Sequence, residues 1–126
     1  MKVIPSLRYT EKHDWIRVEG EFAYIGITDF AQEQLGDILF VEMPEVGYKI
    51  NIGKEYGIIE SSQLALDLIS PISGEVVKIN ERLDDEPEYI NEDAYDAWIV
   101  KVKLSDVDEL ESLISAESYE AELEEC

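Results

Sequence analysis

The side chains that most often carry out chemistry are scarce in this chain and poorly arranged for it. His13 is the only histidine, and the only cysteine, Cys126, is the last residue. No serine lies in a Gly-x-Ser-x-Gly elbow, so no nucleophile stands beside a base. A lone histidine near Trp15 reads as a structural hydrogen-bonding group. A hydrolase or transferase built on His13 and the surrounding carboxylates would lack both a nucleophile and an orienting group. Carboxylates are plentiful, 30 in all, but abundance does not make an acid and a base at fixed separation. Neither a Gly-rich phosphate loop nor a calcium-loop pattern is present. The stretch that stands out is IESSQLALDLIS, Ile59 to Ser70, a hairpin-like run followed at once by the turn Pro71-Ile72-Ser73-Gly74. It gathers Glu60, Ser61, Ser62, Gln63 and Asp67 with the apolar Leu64 and Leu66.

The elements that must hold this stretch belong to one domain, because 126 residues suffice for one core and a second would be cramped. With a single cysteine there is no disulfide framework and no metal-binding cysteine pair, and nothing suggests export. No apolar run is long enough to span a bilayer, which makes a soluble, cytoplasmic protein the expectation. Net charge is −20, from 30 acidic against 10 basic residues. Such a balance repels nucleic acid and anionic membranes and favours basic protein surfaces. Much of the acid lies between Glu81 and Asp96 and beyond Ser105, where runs of this kind form solvated faces.

Alternation marks the strands. Trp15, Arg17 and Glu19 fall on one parity and Ile16 and Val18 on the other, and Phe22 to Ile27 repeats the pattern after Gly20. Thr28-Asp29 predicts a helix N-cap, FAQEQL a short helix, and Gly36 a left-handed C-cap. Ile38 to Met43, Tyr56 to Ile59, Glu75 to Ile79 and Ile99 to Leu104 read as further strands. Two Pro-x-x-Gly turns, at Pro44 to Gly47 and Pro71 to Gly74, hint at a sandwich of two similar sheets. From Ser105 the texture predicts helix, with Ser105 and Asp108 as a capping box and Leu110, Leu113 and Ile114 on one face; Tyr119 and Leu123 continue that face.

Several stretches, taken together, resemble one family. TEKHDWIRVEG, GITDFAQEQLGDILFVEMPEVG, GIIES, SPISGEVVKIN and SDVDELESLISAESYEAEL are similar, in order and spacing, to the H protein of the glycine cleavage system. The resemblance covers nearly the whole chain. It implies a mainly β fold, a flattened β-sandwich of the biotinyl/lipoyl type (barrel-sandwich hybrid) with short helices and a helical C-terminus. It also implies a carrier rather than an enzyme. Members hold lipoate in amide linkage to a lysine at a hairpin tip. They take an aminomethyl group from glycine decarboxylase and pass it to an aminomethyltransferase, and dihydrolipoamide dehydrogenase reoxidises the arm.

The family's tip resembles E-S-V-K-A-A-S-D, and this chain reads Glu60-Ser61-Ser62-Gln63-Leu64-Ala65-Leu66-Asp67, which puts Gln63 at the anchor position. A carboxamide nitrogen has its lone pair delocalised into the carbonyl and is not a nucleophile, so Gln63 is expected to stay unmodified. The nearest lysines, Lys54 and Lys78, lie on other segments. A phosphopantetheine-type ester on Ser61 or Ser62 would need the helix start that such carriers use. In the family the loaded arm folds into a polar cleft near the residues matching Lys12, Asp14 and Asp67; here Lys12 and Asp14, flanking His13, differ from the family pattern, as do Leu64 and Leu66. The segment before Trp98, Asp93 to Ala97, is also shorter than in the family. The expectation is an H-protein-like chain with no cofactor of its own that binds partners of lipoyl or glycine-cleavage metabolism, with Leu64 and Leu66 either filling the cleft or docking on a partner. The alternative is a conventional aminomethyl carrier, which requires lysine at position 63.

Overall fold

In the computed structural model, which describes residues 2 to 124, the strands form two antiparallel sheets of unequal size. The larger has seven strands in the order β10 (Ile114–Ser115), β1 (Arg8–Tyr9), β2 (Asp14–Glu19), β3 (Phe22–Ile27), β9 (Val100–Leu104), β8 (Gly74–Ile79) and β5 (Lys49–Ile50). The smaller has three: β4 (Ile38–Glu42), β6 (Glu55–Ser61) and β7 (Ala65–Ile69). The two close on one core, to which Ile25, Val76, Val100 and Val102 come from the larger sheet and Val41, Ile59 and Leu68 from the smaller. This is the expected flattened sandwich, except that its sheets are not similar. The two Pro-x-x-Gly turns are not equivalent either. Gly47 has φ +97° and its N–H meets the Val76 carbonyl, whereas Gly74 opens β8 in extended backbone opposite Ile50.

Strand parity decides what each face shows. On β6 it is Ile59, fully buried, that enters the core, while Ile58 turns outward and is half-buried opposite Glu42 and Asp67. Which of these two adjacent isoleucines enters the core is set by register, since a one-residue shift changes the face. On β7, Leu66 and Leu68 point in with it. Leu68 is buried, Leu66 is half-buried against the core, and Ala65 and Asp67 face out.

The helix α1 (Asp29–Leu35) begins as expected, with the Thr28 hydroxyl accepting from the Ala31 N–H at 3.2 Å. It ends at Gly36, whose φ of +77° is joined to ψ −153° rather than to the left-handed value a C-cap would use. That region is essentially restricted to glycine. Two short helices, α2 (Arg82–Asp85) and α3 (Tyr89–Glu92), follow β8.

Beyond Ser105 the structure departs from the predicted helix. A 3-10 segment, Val107–Ser112, is capped by Asp106 rather than Ser105, and Leu113 is extended, so Ile114 enters β10 and pairs with Tyr9. The long helix starts later, as α4 (Ala116–Glu124). Its Tyr119 stacks on Tyr9 with ring centroids 4.4 Å apart and planes within 2°. The pair joins Leu7 and Trp15 in a second apolar cluster, against which Leu123 packs. Trp15 is thus fully buried although it shares the parity of the half-exposed Arg17, because the chain ends cover that part of the sheet. Opposite Trp15 stands Gly26; a Cβ there would lie 2.5 Å from the indole ring.

Ile59→Ala is expected to lower unfolding stability by about 2–5 kcal/mol. Gln63→Ala, at an exposed turn, should stay within about 0.5 kcal/mol. Equilibrium denaturation of the two variants checks the pair.

Candidate functional site

The hairpin β6–β7 carries the predicted site residues to its tip. After Glu60, which pairs with Phe40 on one side and Ala65 on the other, the chain turns through Ser61, Ser62, Gln63 and Leu64. Ser61 organises the turn. Its N–H and hydroxyl both donate to the Leu64 carbonyl, at 2.9 and 3.0 Å, and its oxygen accepts from the N–H groups of Gln63 and Leu64. Ser62 donates its N–H to the Asp37 carbonyl at 2.9 Å, which ties the tip to the turn after α1. Gln63 is exposed, and its amide leans over Gly36: a Cβ on that glycine would lie 3.0 Å from Gln63 Nε2. Ser61 ends β6 and Ser62 lies in the turn that follows, not at a helix start, so the surroundings of a phosphopantetheine site are missing at these described residues.

Leu64 and Leu66, expected either to fill the cleft together or to dock together on a partner, go different ways. Leu66 lies within β7 and packs inward, whereas Leu64 lies in the turn before it, outside the strand alternation, and is 48 % exposed.

A second feature lies at the other end of β7, six residues from Gln63, or about 20 Å of strand. It is a cleft of about 290 Å³, bounded by Thr10, Lys12, Asp14, Ile52, Ser70 and Leu113 among others. Two of the three predicted cleft residues, Lys12 and Asp14, line it. Asp67 does not. It lies on the same outward face of β7 as Ile69, which does line the cleft, but two residues nearer the tip, and it is exposed.

Asp14 is buried, and the turn preceding it explains how it is held there. Thr10 donates its hydroxyl to Asp14 Oδ2 at 3.0 Å and accepts from the N–H groups of Lys12 and Asp14. Burial pushes the Asp14 carboxyl up to about 7, with the Thr10 hydroxyl and the Lys12 charge only partly opposing it. The Tyr56 hydroxyl is buried and has no hydrogen-bond partner among the described residues. Desolvation first, and the Asp14 charge second, raise its pKa well above the ordinary value. Thr10 and Tyr56 were not singled out from the sequence. The Thr10-x-x-x-Asp14 spacing carries a local side-chain to backbone pattern that could have marked the first, and Tyr56 has no such signal.

Among the described residues His13 is engaged in a structural contact. It sits at φ +68°, closing the Thr10–His13 turn, with Nδ1 2.8 Å from the Tyr119 hydroxyl and its ring tilted on Phe30. Tyr119 is in turn 2.8 Å from the Thr28 hydroxyl. Histidine, tyrosine and threonine together fasten α4 to the start of α1. Desolvation lowers the His13 pKa, with the Glu122 charge opposing. Cys126, the other candidate nucleophile, lies outside the described residues. No group of three or more His, Cys, Asp or Glu side chains that could hold a metal occurs among the described residues, and no described helix is long and apolar enough to cross a membrane.

The family model described as glycine cleavage H-protein matches residues 7–126. A glycine cleavage system H protein of Clostridioides difficile is 57 % identical over 125 residues, covering 98 % of this chain and all of that protein. One from Geobacillus kaustophilus is 51 % identical over 126 residues, covering 99 % of each. The crystal structure of a glycine cleavage system H protein from Mycobacterium marinum superposes with a TM-score of 0.87 at 35 % identity, over 95 % of this chain and 98 % of that one.

The buried Asp14 makes a pH-dependent prediction. Its folded pKa lies above the unfolded value, so its neutral form favours the fold: that contribution is complete below about pH 3.8 and is lost as pH rises towards 7. Asp14→Asn keeps an acceptor for Thr10 without the charge. It should raise stability at pH 8 by up to ~4 kcal/mol, since each tenfold change in proton affinity is worth about 1.4 kcal/mol, and change it little at pH 4. Denaturant titrations at the two pH values check this.

Proposed function

The chain belongs to the glycine cleavage H-protein family, and we propose that within it this chain is a non-lipoylated member that acts by binding partners in lipoyl or glycine-cleavage metabolism. The family consists of carriers rather than catalysts. One observation carries the narrower reading: the residue at the exposed hairpin tip, where the resemblance puts the lipoyl anchor, is Gln63. Forming the lipoyl amide requires an amine lone pair, and the carboxamide offers none. The residues present do not fit covalently attached lipoate, and no neighbouring lysine can take over, since none lies between Lys54 and Lys78.

The partners of this reading are glycine decarboxylase, the aminomethyltransferase or other lipoyl-system enzymes, met in the cytoplasm by a single domain spanning residues 1–126. Strong negative charge supports a protein with a basic surface as partner, rather than nucleic acid or an anionic membrane. The changes at Leu64 and Leu66 beside Gln63 support a tip that has departed from carrier use as a whole, and not at one position only.

Incubated with lipoate ligase, lipoate and ATP, the chain should keep its unmodified intact mass, and a gain of one lipoyl group would overturn the reading. Gln63→Lys restores the amine but not the surrounding residues, so it is expected to be lipoylated poorly. Efficient modification of that variant would instead identify position 63 as the sole barrier.

A further inference from the structure

We infer that the outer face of the larger sheet, from β3 to β5, is a docking surface for an extended acidic segment of a partner protein, one that carries carboxylates on alternate residues. The inference goes beyond the reading above and uses neither the hairpin β6–β7 nor position 63.

Register lays out the surface in two rows. Arg17, Tyr24, Lys101 and Lys78 are cross-strand neighbours in one, and Glu19, Phe22, Lys103, Glu75 and Lys49 in the other. They alternate with the buried Ala23, Ile25, Val76, Val100 and Val102, so they stand on the side away from the core. Five of the chain's ten Lys and Arg lie in these rows, with only two of its 30 carboxylates. Both carboxylates are already taken, Glu19 by Arg17 at 2.9 Å and Glu75 by Lys49. Lys78, Lys101 and Lys103 form no ion pair among the described residues, although the chain has three carboxylates for every base. The rings hold two of the cations in place instead. The Arg17 guanidinium lies 4.3 Å from the centre of Tyr24, and the Lys101 ammonium 4.8 Å from that of Phe22 and 5.2 Å from that of Tyr24. Cations fixed over aromatic faces lose less freedom when an anion arrives.

Charge and spacing select the occupant. Three lysines gathered without counter-charge in so acidic a chain call for carboxylates from outside it. Lys101 and Lys103 are alternate residues of β9, about 7 Å apart along the strand, which is also the repeat of alternate side chains in any extended segment. A segment laid along β9 therefore offers one carboxylate to each, and Lys78, beside Lys101 on β8, reaches the first of them. At the β5 end the second row borders a recess of about 480 Å³, lined by Lys49, Asn51, Lys103 and Ser105 among others, which takes a further acidic side chain. Nucleic acid is the poorer occupant. Every added phosphate meets the repulsion of a molecule of net charge −20, whereas a short acidic segment brings only the few charges that the lysines pair.

The probe is a fluorescein-labelled peptide of four Glu-Ser repeats, titrated with the full chain and followed by fluorescence anisotropy. In about 0.1 M salt, charges more than about 10 Å away are screened, so the chain's distant carboxylates do not mask the face. The peptide should bind, and its counterpart with glutamine in place of glutamate should not. Lys101→Gln with Lys103→Gln should weaken binding by about fivefold or more, and Lys101→Arg with Lys103→Arg should keep it within about twofold. Lys54→Gln with Arg82→Gln removes the same charge away from this face and should also leave affinity within about twofold. Thermal melts should show every variant folded. No binding by the unaltered chain, equal binding of the glutamine peptide, or binding that survives the change of Lys101 and Lys103 to glutamine within about twofold overturns the docking surface. Tighter binding of an oligothymidylate of the same length than of the acidic peptide would assign the face to nucleic acid and overturn the inference.

Discussion

Burial of one side of β6 and β7 is the constraint from which the rest of the molecule follows. Ile59, Leu66 and Leu68 are committed to the space beneath Ile25, Val76, Val100 and Val102. Because a strand alternates, that commitment also fixes what faces outward, namely Ile58, Glu60, Ala65 and Asp67. The turn between the strands is left beyond the edge of the core, where its backbone is satisfied by Ser61 and by the Asp37 carbonyl. Position 63 is therefore outside the packing problem altogether. The hairpin forms whatever side chain stands there, so a carboxamide at position 63 is compatible with the fold.

The chain ends solve a different problem. A large sheet offers two faces, and only one is covered by the smaller sheet. At the Trp15 end the remaining face is closed by Tyr9, Leu7 and the stacked Tyr119, and the Tyr119 hydroxyl connects to His13 and Thr28. Thr28 in turn caps α1, which ends at Gly36 under Gln63. Packing at the C-terminus thus bears on the placement of the helix beneath the tip, through groups distant in sequence. At the opposite end the same face is left open and carries Arg17, Lys101 and Lys103, giving the molecule its charge asymmetry.

Much of this was legible in the sequence. Alternation and β-branched runs located the longer strands but not the two-residue β1, β5 and β10, Thr28 and Gly36 bounded the helix, and the ordered motifs identified the family. The illegible parts have physical causes. Ile58 and Ile59 are equally apolar, and only the pairing register tells which one enters the core. Ser105, Asp106 and Asp108 all suit a helix start, but a short stretch of 3-10 geometry is enough before Ile114 is drawn into pairing with Tyr9. Trp15 shares a parity with Arg17, and nothing local announces that Tyr119, from the far end of the chain, will cover it. The cleft was only partly legible for the same reason: Lys12 and Asp14 flank His13 in the sequence, whereas Ile52, Ser70 and Leu113 arrive from three other segments.

Two polar groups stand out against the economy of the remainder. The buried Asp14 carboxyl and the unpartnered Tyr56 hydroxyl both oppose folding, since each has left water without full compensation. Neither is needed to form a strand, and apolar groups of similar shape would pack there at lower cost. Local rules of this kind are most often broken where function, rather than stability, has set the residue. Asp14 lines the cleft, at the far end of β7 from Gln63, and its charge reaches the Tyr56 hydroxyl. The cleft thus holds a buried carboxyl at an energetic cost, whereas the tip presents an exposed carboxamide and an exposed leucine, neither of which the core requires. The two ends of the hairpin are under different constraints: one places a carboxyl in a buried environment that opposes its ionisation, and the other leaves its side chains in solvent.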